Sequence, residues 1–204
     1  MKITLISGSH RLNSQSSKVS AWINNTLLAG GFCEEAFLLD LADNPLPLWE
    51  EKIWENDSTW QQRLAPIATK LAASDAFVIV CPEWHGMVPA GLKNFFLMWG
   101  NGELAHKPAL IVTVSSADGG SYPVAELRMS SYKNNRLCYL PEHLIIRYVE
   151  TVFNEDPASN SATAQPYFEK RLHYCLTMLK QYGLAFRQIR ASGAGSLSEF
   201  NSGM

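Results

Sequence analysis

The feature that most constrains this fold is a series of five short apolar segments, each separated from the next by helical or polar sequence. The third segment, Ala76 to Cys81, is apolar at every position, which is typical of a strand buried on both faces of a sheet. Strands of this kind alternating with helices predict a doubly wound α/β domain, in which helices cover both faces of a five-stranded parallel sheet. The predicted strands are Lys2 to Ser7, Ala36 to Leu41, Ala76 to Cys81, Ala109 to Ser115 and Leu144 to Val152.

Helical patterns lie between these strands. The first follows the polar turn Gly8 to Ser17 and ends at Gly30-Gly31, since glycine is common just after a helix. Asn44 to Trp60 mixes two prolines with polar residues and is predicted to be a long surface connection. The other helices are predicted from about Pro66 to Asp75, Pro89 to Gly100, Tyr122 to Asn134 and Tyr167 to Tyr182.

The length and composition favour one domain. A chain of 204 residues, 47% hydrophobic and 18% charged, can bury one sizeable core. We predict a single domain over residues 1–190. Residues 191–204 are rich in Ser, Gly and Ala, have little to bury, and are predicted to form a flexible tail.

The charge balance excludes several classes of partner. A formal net charge of −2 is too balanced to indicate binding to nucleic acid or to a membrane surface, so we expect a small-molecule substrate. The apolar start, Ile3 to Ile6, is too short for a signal-peptide core, and we expect a cytoplasmic protein. The histidines and the four dispersed cysteines lack metal-ligand spacing, so no metal site is predicted.

Three loops are predicted to leave the carboxyl ends of the strands, where α/β sheets bind ligands. The first, Gly8 to Ser17, combines hydroxyls, amides and the Arg11 guanidinium ahead of a helix N-terminus, which favours anion binding. It lacks both the Gly-x-Gly-x-x-Gly and the Gly-Lys-Ser/Thr phosphate motifs, and therefore favours a single terminal phosphate. The alternative is an ordinary serine-rich helix cap.

The first and second loops together resemble one family. The first loop contains Gly-Ser-x-Arg-x-x-Ser over residues 8–14, and the second reads Pro-Glu-Trp-His-Gly-Met-Val-Pro-Ala-Gly-Leu-Lys-Asn over residues 82–94. Both are similar to the NADPH-dependent FMN reductases, whose second loop typically reads Pro-Glu-Tyr-Asn-Gly-Ser-x-Pro-x-x-Leu-Lys-Asn. The resemblance covers the order of elements from Met1 to about Tyr182 and implies a flavodoxin-like fold.

The resemblance also implies an FMN site formed by all three loops. The first loop would surround the phosphate, and the second would lie along the edge and face of the isoalloxazine. The third loop, Ser115 to Gly120, resembles the Gly-Gly loop that covers the other side of the ring in this family; the alternative is a plain strand-to-helix turn. Glu83 is then interpreted as a structural group, and Gly86 as a residue that allows close approach of the backbone. The implied FMN contacts are Ser9, Arg11, Ser14, Gln15, Ser16, Pro82, Glu83, Trp84, His85, Gly86, Met87, Ser115, Gly119 and Gly120.

The second loop departs from the family pattern at Trp84, His85 and Met87, where Tyr, Asn and a small polar residue are usual. An indole and a thioether would make the space over the flavin more apolar, which affects the choice of substrate. The helix that carries Phe95, Phe96 and Trp99 is too apolar for one buried side. The resemblance implies a homodimer in which the helices after the second and third strands pack against a second copy, with the flavin near the interface. In some members the dimer pairs into a homotetramer.

Three functions remain open at this point. The resemblance implies an oxidoreductase that uses NADPH or NADH to reduce a small acceptor such as a quinone, a flavin, an azo compound or a metal oxyanion. The flavin would carry the chemistry, so no catalytic side chain is predicted. A flavin-binding electron carrier or redox-sensing partner protein is the alternative. A serine hydrolase would require a triad, and the sequence around His143 and His173 does not supply one.

Overall fold

The computed structural model describes residues 1–203 and contains one five-stranded sheet. All strand pairs are parallel, and the strand order is β2-β1-β3-β4-β5. This confirms the predicted doubly wound architecture. The strands are β1 (Lys2–Ser7), β2 (Glu35–Asp40), β3 (Ala76–Pro82), β4 (Pro108–Val114) and β5 (Cys138–Ile146).

Five α-helices cover the two faces of the sheet. Helices α1 and α5 pack on one face, where Val78 and Val80 of β3 point, and α2, α3 and α4 pack on the other, with Phe77 and Ile79. The side chains of β3 therefore alternate between two apolar layers, which accounts for its continuous apolar sequence. The helices are α1 (Gln15–Ala29), α2 (Ser58–Ala73), α3 (Ala90–Leu97), α4 (Ser121–Ser130) and α5 (Ala164–Ala191).

The last strand lies earlier than predicted. It was expected from Leu144 to Val152, but it begins at Cys138 and ends at Ile146. As an edge strand that pairs only with β4, β5 accommodates polar residues and Pro141, which would not suit a central strand. After Ile146 the chain turns through Tyr148, whose φ is +48°, into a short 3-10 helix over 149–151.

Two helices are longer than their patterns indicated. Helix α2 was expected from Pro66 but begins at Ser58, because the Asp57 carboxylate accepts hydrogen bonds from the backbone N–H groups of Thr59 and Trp60. Helix α5 extends to Ala191, and its last turns are held by Asp75. The domain boundary at residue 190 and the flexible tail stay predictions.

Backbone hydrogen bonds bring the three predicted loops to one edge of the sheet. The Gly8 N–H donates to Val80 O at 2.8 Å, the Glu83 N–H to Val114 O at 3.1 Å, and the Ser115 N–H to Ile146 O at 2.9 Å. Each loop is thus tied to the end of the neighbouring strand, in the region where doubly wound sheets bind ligands.

Among the described residues, no helix has both the length and the apolar character needed to cross a bilayer.

Candidate functional site

The first loop ends in a capped helix whose serines have different roles. Ser14 is the N-cap of α1, and its hydroxyl accepts a hydrogen bond from the Ser17 N–H at 3.1 Å. The Ser17 hydroxyl donates to the Asp40 carboxylate at the end of β2. Ser16 is different: its hydroxyl is buried and has no hydrogen-bond partner among the described residues. The capping interpretation therefore accounts for Ser14 but not for Ser16.

Arg11 supplies an unengaged positive charge to this loop. Its side chain is exposed and forms no hydrogen bond or ion pair within residues 1–203, while its backbone N–H donates to the Ser9 hydroxyl at 3.2 Å. The N-terminus of a 15-residue helix adds open N–H groups and the positive end of the helix dipole. A buried hydroxyl, a free guanidinium and a helix N-terminus together favour an anion with several oxygens.

An open cleft of about 230 Å³ joins this loop to the other two. Its floor includes Val114 at the end of β4, so it lies at the carboxyl edge of the sheet. Of the predicted site residues, the cleft is lined by Ser9, Arg11, Ser14, Gln15, Ser16, Pro82, Glu83, Trp84 and Ser115. A larger cavity of about 430 Å³ lies along residues 154–169 and Trp22, and contains none of the predicted residues.

The remaining residues of the second loop form a tight turn. The backbones of Trp84 and Met87 exchange hydrogen bonds of 3.1 and 2.9 Å, with His85 and Gly86 between them at φ values of +51° and +74°. Two consecutive positive φ angles are typical of a type I′ turn. A Cβ on Gly86 would have a single protein neighbour within 4 Å, Tyr122 Cδ2 at 3.9 Å, so the backbone angle is what selects glycine inside the protein.

Glu83 fastens the second loop to the third. Its carboxylate accepts a hydrogen bond from the Gly120 N–H at 2.5 Å, and a Cβ on Gly119 would lie 2.9 Å from the same carboxylate. A Cβ on Gly120, at φ +104°, would lie 2.5 Å from Ile145 Cγ2. Both glycines are therefore needed for close packing. The bond to Gly120 agrees with the interpretation of Glu83 as a structural group.

One wall of the cleft was not predicted. Val149 and Glu150 line it from the segment after β5, which the sequence analysis had placed inside a strand. Lys18 holds this segment: its ammonium donates 2.8 Å bonds to Val149 O, Val152 O and Asn154 Oδ1. Burial lowers the pKa of this ammonium. No pattern in the sequence pointed to Lys18, because its partners are more than 130 residues away.

His10, which we had assigned no role, contacts the second loop. Its ring lies 4.6 Å from the Trp84 ring, at an interplanar angle of 79°. A Cβ on Gly91 would lie 2.9 Å from His10 Nδ1. His10 therefore packs between Trp84 and the start of α3, and connects the first and second loops through side chains.

Comparison with known proteins identifies the family. The sequence model of the NADPH-dependent FMN reductases matches residues 1–150, which include all three loops. The chain belongs to this family. An NADPH azoreductase of Bacillus sp. (strain OY1-2) is 27% identical over 59% of this chain and 62% of its own length. An NAD(P)H-dependent FMN reductase of Schizosaccharomyces pombe is 33% identical over 58% of this chain and 60% of its own length. The chain thus spans about three fifths of these two relatives.

Solved structures support the same fold. The flavoenzyme FerB of Paracoccus denitrificans, an NAD(P)H:acceptor oxidoreductase, superimposes with a TM-score of 0.68 over 91% of this chain and 98% of its own, at 18% identity. An archaeal flavodoxin superimposes with a TM-score of 0.53 at 10% identity. The fold is therefore flavodoxin-like, as the resemblance implied.

The residues present fit the cofactor of the NADPH-dependent FMN reductase family. The unpartnered Ser16 hydroxyl and the free Arg11 guanidinium can donate hydrogen bonds to a terminal phosphate. The third loop reaches the cleft through Ser115 and Ser116, and within residues 1–203 the N–H groups of Ser116, Asp118 and Gly119 make no hydrogen bond in the protein. They are available for the carbonyl and ring-nitrogen acceptors of an isoalloxazine.

Proposed function

We propose that this protein is an FMN-dependent oxidoreductase that transfers reducing equivalents from NADPH or NADH to a small acceptor. The observation that carries the proposal is the cleft that the first loop, with its unpartnered Ser16 hydroxyl, shares with Pro82, Glu83 and Trp84 of the second loop. Bound FMN supplies the chemistry, because it accepts a hydride and passes two electrons on. The protein binds, orients and limits access to this group.

Each loop has a separate role in the proposal. Ser9, Arg11 and Ser16 bind the phosphate, with Ser14 fixing the helix N-terminus that they share. The Trp84–Met87 turn presents its backbone to the ring, and Met87 is half exposed, so a flat apolar substrate can reach that side. Among the described residues the cleft contains no His–Ser pair with an acidic partner, which disfavours the hydrolase reading.

The arrangement of the four cysteines is consistent with a cytoplasmic location. All four cysteines are unpaired, and three of them are buried. Thiols persist in the reducing cytosol. We propose the cytoplasm on this ground.

We further propose a homodimer formed through α3 and α4. On α3, Leu97 is 61% exposed, and on α4, Met129 is 76% exposed, while a groove of about 210 Å³ between the helices is lined by Phe96 and Leu127. Light scattering at micromolar concentration should give at least twice the chain mass of 22.7 kDa. A single-chain mass at that concentration would reject the interface. Leu97→Glu should convert the dimer to the monomer, while Leu28→Glu, at an exposed residue of α1 on the other face of the sheet, should not.

Steady-state turnover separates the enzyme from the alternative, a flavin-binding electron carrier. When NADPH or NADH and a quinone are both varied with FMN-loaded protein, we expect parallel double-reciprocal lines, since two substrates that use the same exposed ring face must alternate. Intersecting lines would show that both substrates bind at once. An electron carrier would oxidise neither nicotinamide with any acceptor. The net charge of this chain, −2, is also small for a carrier that docks to a basic partner.

A further inference from the structure

The segment after β5 holds the third loop from outside. Arg147 Nε donates to Asp118 O at 2.7 Å and to Gly119 O at 3.1 Å, and its Nη2 donates to Ser121 Oγ at 3.3 Å. The next residue, Tyr148, donates its hydroxyl to Asp118 Oδ1 at 2.8 Å. Tyr148 adopts a φ of +48°, which side chains rarely tolerate, so the turn that places both residues is fixed at a cost in backbone strain.

Other hydrogen bonds also fix the third loop. Gly120 is fixed on both sides, because its N–H donates to Glu83 and its carbonyl accepts a 2.8 Å bond from Thr113 Oγ1. With Arg147 on the preceding carbonyls, the acceptors of Asp118, Gly119 and Gly120 are all occupied. The N–H groups of Asp118 and Gly119 have no partner within residues 1–203. The third loop thus has free N–H donors, while the carbonyl oxygens of Asp118, Gly119 and Gly120 already accept hydrogen bonds.

We propose that Arg147 is a positioning residue of the flavin site, which acts by fixing the carbonyls of Asp118 and Gly119 so that the neighbouring N–H groups are held ready for an acceptor-rich ring. Tyr148 assists it through the side chain of Asp118. The role depends on the fork of the guanidinium, since one planar group bridges two carbonyls and a hydroxyl, which an ammonium on a flexible stem cannot reproduce. The flavin as the ligand rests on the proposed function, whereas the hydrogen bonds between Arg147 and the third loop do not.

The test compares Arg147→Gln and Arg147→Lys with a matched control, Arg128→Gln. Arg128 also ties two carbonyls, but they are those of Leu140 and Pro141 in β5 and not those of the third loop. The first readout is amide hydrogen exchange in protein without FMN at Ala117 and Gly120, the third-loop residues whose N–H groups donate within the protein. We expect both Arg147 variants to accelerate it about tenfold or more, and Arg128→Gln to leave it unchanged.

The second readout is the affinity for flavins. Because the third loop serves the ring and not the phosphate, Arg147→Gln should weaken FMN and riboflavin by the same factor, about tenfold, whereas Arg128→Gln should weaken neither. Tyr148→Phe should shift both flavins in the same direction by a smaller factor. Unchanged exchange, or unchanged riboflavin binding in Arg147→Gln, would overturn the proposal.

Two further outcomes are decisive. Full recovery of exchange and affinity in Arg147→Lys would show that charge alone is needed, which overturns a role for the guanidinium fork. If the unmodified protein bound neither flavin, the proposed function would fail, while the exchange data would still decide whether Arg147 holds the loop.

Discussion

Replacement of Arg11 by alanine should weaken FMN binding about 10- to 100-fold and leave riboflavin binding almost unchanged. The guanidinium is exposed and forms no bond within the described residues, so its removal disturbs no contact inside the protein. Charge-assisted hydrogen bonds to a phosphate contribute about 1.5–3 kcal/mol, and riboflavin has no phosphate to receive them. Titration of each flavin, followed by fluorescence, measures both affinities.

Arg63→Ala is the matched control for this prediction. Arg63 is likewise exposed and unpaired among residues 1–203, but it lies on α2, away from the cleft. The Arg63→Ala variant should bind both flavins as the unmodified protein does. Arg11→Lys keeps the charge and should recover part of the FMN affinity. Equal weakening of FMN and riboflavin in Arg11→Ala would show that the first loop does not bind the phosphate.

A comparison of Gly86→Val with Gly31→Val should separate an effect on the flavin site from an effect on stability. Gly86 and Gly31 have φ values of +74° and +64°, and a Cβ would meet little at either position. Each substitution should cost about 1–2 kcal/mol of unfolding free energy, because a left-handed conformation is unfavourable for a side chain and more so for a β-branched one. Urea denaturation measures this loss.

Only Gly86→Val should change function. Gly86 does not line the cleft itself, but it lies in the turn that begins at Trp84, which does. A shift of this backbone should therefore weaken FMN and slow the oxidation of NADPH or NADH severalfold or more. Gly31 follows α1 at the opposite edge of the sheet, so Gly31→Val should bind FMN normally. If both variants lost stability but neither lost FMN affinity, the Trp84–Met87 turn would not be part of the flavin site.

The parts of the fold predicted well are those where one physical pattern dominates. Strand β1 was predicted to the residue and β3 to within one, because a central strand of a parallel sheet must be apolar on both faces. Strand β5 was misplaced because an edge strand carries polar residues, while the apolar Val149 that follows it is buried in a short 3-10 helix and not in a strand. Burial was read correctly there, but the backbone conformation was not.

The site could be predicted to the extent that topology alone assembles it. The three loops follow β1, β3 and β4, which are adjacent in the sheet, so their residues must meet at its carboxyl edge. The contacts of Lys18, Arg147 and His10 could not be predicted, because they join segments far apart in the sequence through the ends of long side chains. Two of these sets of contacts, those of Lys18 and Arg147, also depend on where β5 ends, because both involve the segment that follows Ile146.

The measurement that tests the central claim most directly is anaerobic mixing of FMN-loaded protein with NADPH and, separately, with NADH, followed by visible absorbance. We predict that at least one nicotinamide bleaches the bound FMN and that adding a quinone restores the colour, since the cleft must serve both a donor and an acceptor. Free FMN with the same nicotinamides is the control and should react far more slowly. A bound FMN that keeps its full absorbance with both nicotinamides would contradict the account and favour the electron carrier.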